Sequence, residues 1–238
     1  MFIKSCTFNS SLTNRLLMNL TPKYDNYFWD LDGTISNSKE GIYNSILYSL
    51  DKLSIEKPSE DILRSFIGPP LYVSYMKHWY PESEEKAQHA VSLYREYYQE
   101  KGVYENSVFS GIKELISALK EAGSKMFVTT AKPTHYAKIV IEHSGMSDLF
   151  EAVYGSEMDG SRANKTELIQ AVYDDYPTIK NEKNIIIGDR YYDLQGGNSH
   201  GIDTAGVLFG YGTLEELQSE KPTYICANTD ELTSNLIQ

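Results

Sequence analysis

The run Tyr24-Asp25-Asn26-Tyr27-Phe28-Trp29-Asp30-Leu31-Asp32-Gly33-Thr34 decides how the rest of the chain is read. It is rich in aromatic and apolar residues as far as Leu31, as a strand buried on both faces must be, and then empties into Asp-Gly, a pair that favours a tight turn. It predicts a core strand from Tyr24 to Leu31 with two carboxylates at its end. Outward from it the period changes. From about Ser38 to Glu100 it is helical: Ile42, Ile46 and Leu50 recur at four-residue spacing, and a second long segment carries Ala87, Val91, Leu93, Tyr94 and Tyr97. Beyond Ser110 helix and strand alternate. An apolar stripe of Ile112, Leu115, Ile116 and Leu119 stops at Gly123, and a strand from Lys125 to Thr130 follows. Next come a helix after Pro133, a short strand near Ala152 to Tyr154, a helix from about Asn164, and the apolar strand Asn184 to Ile187. Thr204 to Leu208 and Thr223 to Cys226 read as two further strands, with a helix at Leu214 to Leu217 between them.

Strands separated by helices predict the α/β class: a doubly wound parallel sheet with right-handed crossovers and an inserted α-helical unit. The expected division is a core of residues 23–37 and 106–238, a helical insert of residues 38–105, and a polar, unpatterned appendage of residues 1–22 in which Met18 offers a second plausible start.

Composition narrows the function classes. A chain of 238 residues suits one body with a smaller inserted unit, and 41% hydrophobic with 23% charged residues is ordinary globular usage. No stretch approaches the roughly 18 uncharged apolar residues of a membrane span, and Met1 to Leu20 is too broken by polar residues and Arg15 to read as a secretion signal. Cys6 and Cys226 have no metal-ligand spacing, so a reducing, cytoplasmic compartment is expected rather than a disulfide framework. The net charge of −11 speaks against nucleic acid or an anionic membrane as partner, since both need clustered Lys and Arg. The five histidines show no metal-ligand spacing. Tyr94, Tyr97 and Tyr98 fall on the helical pattern and read as packing. No feature of the sequence fixes an oligomeric state.

In open parallel sheets ligands bind beyond the carboxyl ends of the strands. Three strand ends carry chemistry: Asp30-Leu31-Asp32-Gly33-Thr34, Thr129-Thr130-Ala131-Lys132-Pro133 and Gly188-Asp189-Arg190-Tyr191-Tyr192-Asp193. Between the last two, Arg162-Ala163-Asn164-Lys165-Thr166 opens a helix. Taken in order, these residues resemble the four motifs of the haloacid dehalogenase superfamily: Asp-x-Asp-x-Thr, a Thr or Ser after a strand, a Lys, and Gly-Asp-x-x-x-Asp. The helical insert resembles the cap of the C1 branch. Phe66-Ile67-Gly68-Pro69-Pro70-Leu71, and Gly160-Ser161-Arg162 leading to Lys165, look most like the phosphoglycolate phosphatase-like subgroup.

The resemblance implies a Mg²⁺-dependent phosphatase with a Rossmann-like core, acting on a small phosphorylated metabolite. Phosphoglycolate comes first, a nucleoside monophosphate or pyrophosphate next, and a phosphomutase or a non-catalytic phosphometabolite-binding scaffold stands as a rival. Asp32 speaks against the carbon–halogen hydrolases, which lack that second Asp. Asp30 is the expected nucleophile and Asp32 the acid and base for leaving group and water. Mg²⁺ is expected on Asp30, Asp189 and the backbone carbonyl of Asp32, hard oxygen ligands for a hard cation. Gly33 permits the turn, while Thr130, Ala131 and Lys165 are expected around the phosphoryl oxygens, with Asp193 behind Lys165 or a metal-bound water. Thr129 competes with Thr130, which the run Thr130-Ala131-Lys132-Pro133 favours because it matches the subgroup's Thr-x-Lys-Pro. Ala131 departs from the Asn often found there. Arg162 and Arg190 read either as surface residues or as substrate contacts.

Overall fold

The computed structural model describes residues 20–238. The expectations for Cys6, Met18 and the appendage up to residue 19 lie outside the described residues. In chain order, β1 (Asn26–Trp29) leads through the short β2 (Ser36–Asn37) into four helices: α1 (Lys39–Lys52), α2 (Glu60–Arg64), α3 (Leu71–His78) and α4 (Glu84–Tyr97). A π-helical turn, Tyr98–Gly102, prolongs α4, and β3 (Ser107–Val108) returns antiparallel to β2. After it follow α5 (Ile112–Glu121), β4 (Lys125–Pro133), α6 (Thr134–His143), β5 (Ala152–Ser156), α7 (Lys165–Asp175) and β6 (Asn184–Gly188). The chain ends with α8 (Tyr191–His200), β7 (Asp203–Val207), α9 (Leu214–Ser219), β8 (Tyr224–Cys226) and α10 (Thr229–Leu236).

Six strands form one parallel sheet in the order β5-β4-β1-β6-β7-β8, with helices on both faces. It is the doubly wound α/β sheet that the alternation predicts. The pleat explains the continuous apolar runs. Tyr27, Trp29, Met126, Val128, Ile185 and Ile187 point to one face, and Phe28, Phe127 and Ile186 to the other, where α7 covers them with Ile169, Val172 and Tyr173. Both faces are dry, so each large side chain contributes about 1.5–3 kcal/mol relative to exposure. No described helix is long and apolar enough to cross a membrane.

Two departures from expectation bear on the site. β4 does not stop at Thr130 but runs to Pro133, with a register shift between them. Pairing to β5 extends it: Pro133 aligns with Ser156, whose hydroxyl donates to the Ala131 carbonyl at 2.8 Å. α4 likewise continues two residues beyond Glu100 by widening into the π turn. There it meets α1 backbone to backbone, since a Cβ on Gly41 would lie 2.0 Å from the Gly102 carbonyl oxygen.

Helix α8 lies close on the sheet through Gly197, where a Cβ would come within 2.5 Å of Ile186 Cγ2 and 2.6 Å of Thr204 Cγ2. Alanine gains about 1 kcal/mol of helix propensity, but overpacking of this kind costs about 1–3 kcal/mol. Gly197→Ala is therefore expected to lower the urea midpoint; an unchanged or higher midpoint would show that α8 is free to lift.

Candidate active site

The sheet register assembles the site. Trp29 of β1 aligns with Val128 of β4 and with Ile187 of β6, so Asp30, Thr129-Thr130 and Gly188-Asp189 emerge side by side at one edge. Asp30 N–H still donates to the Ile187 carbonyl at 2.9 Å, which fixes the nucleophile candidate at the end of the ladder. Across from it α7 begins at its Asn164 cap, whose side chain accepts from Thr166 N–H at 2.8 Å. This sets Lys165 at the first helical position with its side chain turned inward and 2% exposed.

Lys165 Nζ lies 2.5 Å from Asp30 Oδ1 and 2.8 Å from Asp193 Oδ1, and also donates to the Thr129 carbonyl. Asp193 Oδ2 accepts from Arg190 N–H at 3.0 Å, while its Oδ1 meets the ammonium as an ion pair without a hydrogen bond. Asp189 is fully buried and its Oδ2 accepts from Tyr211 N–H at 2.7 Å. Burial drives Asp30 up to about 7 against the pull of Lys165, and drives Asp189 well above the carboxylate range, with Asp30 and Asp193 adding to it. Asp30, Asp189 and Asp193 each bring a carboxylate oxygen within 4.8 Å of the others. Three buried carboxyl groups thus share one ammonium, and burial keeps protons on Asp30 and Asp189 that a bound cation would displace from their hard oxygens. That donor set fits a hard divalent cation.

Close backbone contacts hold Asp189 in place. Gly33 has φ +99, and a Cβ there would stand 2.2 Å from Asp189 Oδ2; one on Gly210 would stand 2.4 Å from Asp189 Cβ. The Gly210-Tyr211-Gly212 loop after β7 was not anticipated, although a Gly-x-Gly at a fourth strand end on the same edge is a readable signal.

Asp32 stands apart from the three clustered carboxylates. Its Oδ1 accepts from the Ser38 hydroxyl at 2.6 Å and its Oδ2 from Lys132 Nζ at 2.6 Å. Sequence reasoning used Lys132 only to choose between threonines and missed this pair. Of those threonines, Thr130 lines the cavity beside Ala131, while the Thr129 hydroxyl is buried without a partner. Arg162 pairs with Glu157 at 3.1 Å and is not part of the cavity wall. Arg190 pairs with Glu216 at 2.7 Å and donates to the Ile67 carbonyl at 2.7 Å, tying the core to the insert. Arg64 answers from α2 by donating to the Tyr211 carbonyl at 2.9 Å.

Over Asp30 and Asp32 the insert closes a cavity of about 110 Å³ whose walls include Phe66, Tyr72, Tyr94, Tyr98, Tyr136 and Tyr192. Tyr94 and Tyr98 stack with centroids 5.4 Å apart, and Tyr98 meets Tyr136 edge-on at 5.2 Å. These two helical tyrosines pack as expected and also form the wall, whereas Tyr97 faces Tyr48 and Glu105 elsewhere.

Comparison with known proteins agrees with this geometry. The sequence model of the haloacid dehalogenase-like hydrolases matches residues 27–207. A 5′-nucleotidase of Pseudomonas aeruginosa is 40% identical over 206 residues, covering 87% of this chain and 92% of that protein. The tyrosine-protein kinase PtkA of Mycobacterium tuberculosis is 32% identical over 206 residues, covering 86% and 69%. Among solved structures, a putative phosphatase from Clostridium difficile superposes with TM-score 0.82 at 39% identity, covering 91% of this chain and 100% of that one. The chain belongs to the haloacid dehalogenase-like hydrolase family, and within it is a phosphoric monoester hydrolase.

Proposed function

We propose that the enzyme hydrolyses nucleoside 5′-monophosphates through an aspartyl-phosphate on Asp30. The aromatic wall above Asp30 and Asp32 carries this reading, because it offers flat, largely uncharged surface to a leaving group. Phosphoglycolate would bring, besides its phosphate, a carboxylate that needs a cation. The two cations lining the cavity are already engaged, Lys132 by Asp32 and Arg95 by the Met158 carbonyl. The likeness to a 5′-nucleotidase supports the same choice. We place the enzyme in the cytoplasm, in keeping with a free, buried Cys226, and read the helical insert as a cap that excludes water and selects the substrate.

Phosphate monoesters are among the slowest of biological substrates, with enzymatic accelerations of up to ~10²¹, because an anion must attack an anion. Asp30, Asp189 and the Asp32 carbonyl would hold Mg²⁺, which would supply the charge neutralisation that this approach needs. Asp30 is aligned by its backbone bond to Ile187 and by Lys165, whose ammonium also reaches Asp193 and the Thr129 carbonyl. A carboxylate oxygen of Asp30 forms the bond to phosphorus as the ester oxygen leaves, and Asp32 gives that oxygen a proton. Asp32 then takes a proton from the water that attacks phosphorus, the Asp30–phosphorus bond breaks, and phosphate departs. Thr130 and the backbone after Asp30 donate to the phosphoryl oxygens, and Asp193 keeps Lys165 in place.

Phosphate release over a panel of nucleotides, sugar phosphates, pyrophosphate and phosphoglycolate is expected to be greatest for a nucleoside 5′-monophosphate. It should vanish with chelator, return with Mg²⁺, and be absent in a folded Asp30→Asn. Highest kcat/KM on phosphoglycolate would overturn the nucleotide assignment and leave the phosphatase chemistry standing. A second expectation concerns pH. Asp30 holds its proton to about 7 in the fold but releases it near 3.8 when unfolded, so its contribution to stability is present below about 4 and is lost as pH rises through 7. In chelator, unfolding free energy should fall from pH 5 to pH 8, and Asp30→Asn should flatten that fall; an equal slope in both proteins would refute the assignment.

A further inference from the structure

We infer that Lys132 is a positioning residue that holds Asp32 in its working orientation and makes that orientation depend on the closed insert. The inference rests on the reading of Asp32 as acid and base. Asp32 follows the end of β1 on a turn, where a free carboxylate has three staggered side-chain positions open to it. Here one is selected: Ser38 takes Oδ1 at 2.6 Å and Lys132 takes Oδ2 at 2.6 Å. Lys132 reaches this point only because β4 continues beyond Thr130, and Thr130 Oγ1 anchors the extension by accepting from Lys132 N–H at 3.2 Å.

Its side chain is only 5% exposed, and burying the ammonium costs several kcal/mol unless charge and polar contacts compensate. Asp32 is one such compensation. The other is the ring of Tyr98, whose centroid lies 5.1 Å from Nζ. Tyr98 comes from the π turn of the insert and is pinned there by Tyr94 and Tyr136. Asp32 and Lys132 therefore belong to the core, whereas Ser38 and Tyr98 belong to the insert and its entry. With the insert in place the carboxylate has two donors and the lysine has an aromatic floor. Without it, Asp32 keeps at most one donor and Lys132 loses its floor.

A displacement of about 1 Å in a reacting group costs on the order of 10²-fold in rate, which sets the scale of the test. In the full-length enzyme with Mg²⁺, Lys132→Met is expected to lower kcat on a nucleoside 5′-monophosphate by about 10²-fold with little change in KM, and Lys132→Arg to recover most of the loss. With p-nitrophenyl phosphate, whose nitrophenolate leaves without a proton, Lys132→Met should still release one nitrophenolate per site in a burst and then turn over slowly. The burst separates a misplaced Asp32 from a misfolded site. Unchanged kcat, a raised KM at unchanged kcat, or a loss with no burst and no recovery in Lys132→Arg would each overturn the inference. Asp32→Asn run alongside separates the two levels: if it turns over like the wild type, the reading of Asp32 itself falls. If it is inactive while Lys132→Met is unimpaired, only the role of Lys132 falls.

Discussion

The Lys165 ammonium between Asp30 and Asp193 is the interaction on which the site depends. A lysine this deeply buried is unfavourable alone, and so are the carboxylates around it; each is tolerable only because the other is there. The arrangement still leaves more carboxyl groups than cations, with Asp189 fully buried beside Asp30 and met by a backbone N–H and the Thr34 hydroxyl rather than by a cation. A fold that keeps such a cluster has placed chemistry above stability at this edge of the sheet. The remainder of the core allows it: two dry faces packed with Tyr27, Trp29, Ile185 and Ile187 on one side and Phe28, Phe127 and Ile186 on the other.

The insert turns this charged edge into an enclosed site. Its attachment is polar and specific, through Arg64 to the Tyr211 carbonyl and through Arg190 to the Ile67 carbonyl. Both partners on the core side lie next to Asp189, in the loop that embraces it and in the residue that follows it. The groups that shape the candidate metal site are thus the same ones that receive the insert. The insert's aromatic side chains lie over the carboxylates without adding charge to them, at the place the proposed function gives to the leaving group.

Much of this was legible in the sequence, for local reasons. An apolar run that ends in a carboxylate can be read without knowing its neighbours, so Asp30, Asp189 and the strands beneath them stood out. Lys165 was legible only from its place in the order of the four motifs, since a lysine at a helix start is ordinarily solvated. The run Thr130-Ala131-Lys132-Pro133 favoured Thr130 over Thr129, and the pleat adds the physical reason, since adjacent strand residues face opposite sides and Thr130 lines the cavity. The pairing of Lys132 with Asp32 was not legible. It joins residues one hundred positions apart and depends on an extension of β4 that comes from its pairing with β5, which no local propensity encodes. The π turn that carries Tyr98 is equally silent: helical periodicity said that Tyr94 and Tyr98 would be buried, but not that their burial would form a wall of the cavity. The Gly210-Tyr211-Gly212 loop carried a signal that becomes meaningful only once its strand is placed in the sheet.

The central claim is that phosphoryl transfer passes through Asp30. The most direct test is to quench the enzyme in acid during turnover of its best nucleoside 5′-monophosphate, trap acyl phosphates by borohydride reduction, and map the peptides. The account predicts a modified carboxyl at Asp30 alone, forming and decaying at rates that match turnover. Turnover with no trapped carboxyl at Asp30 at any time point would mean that water attacks the substrate directly, and would contradict it.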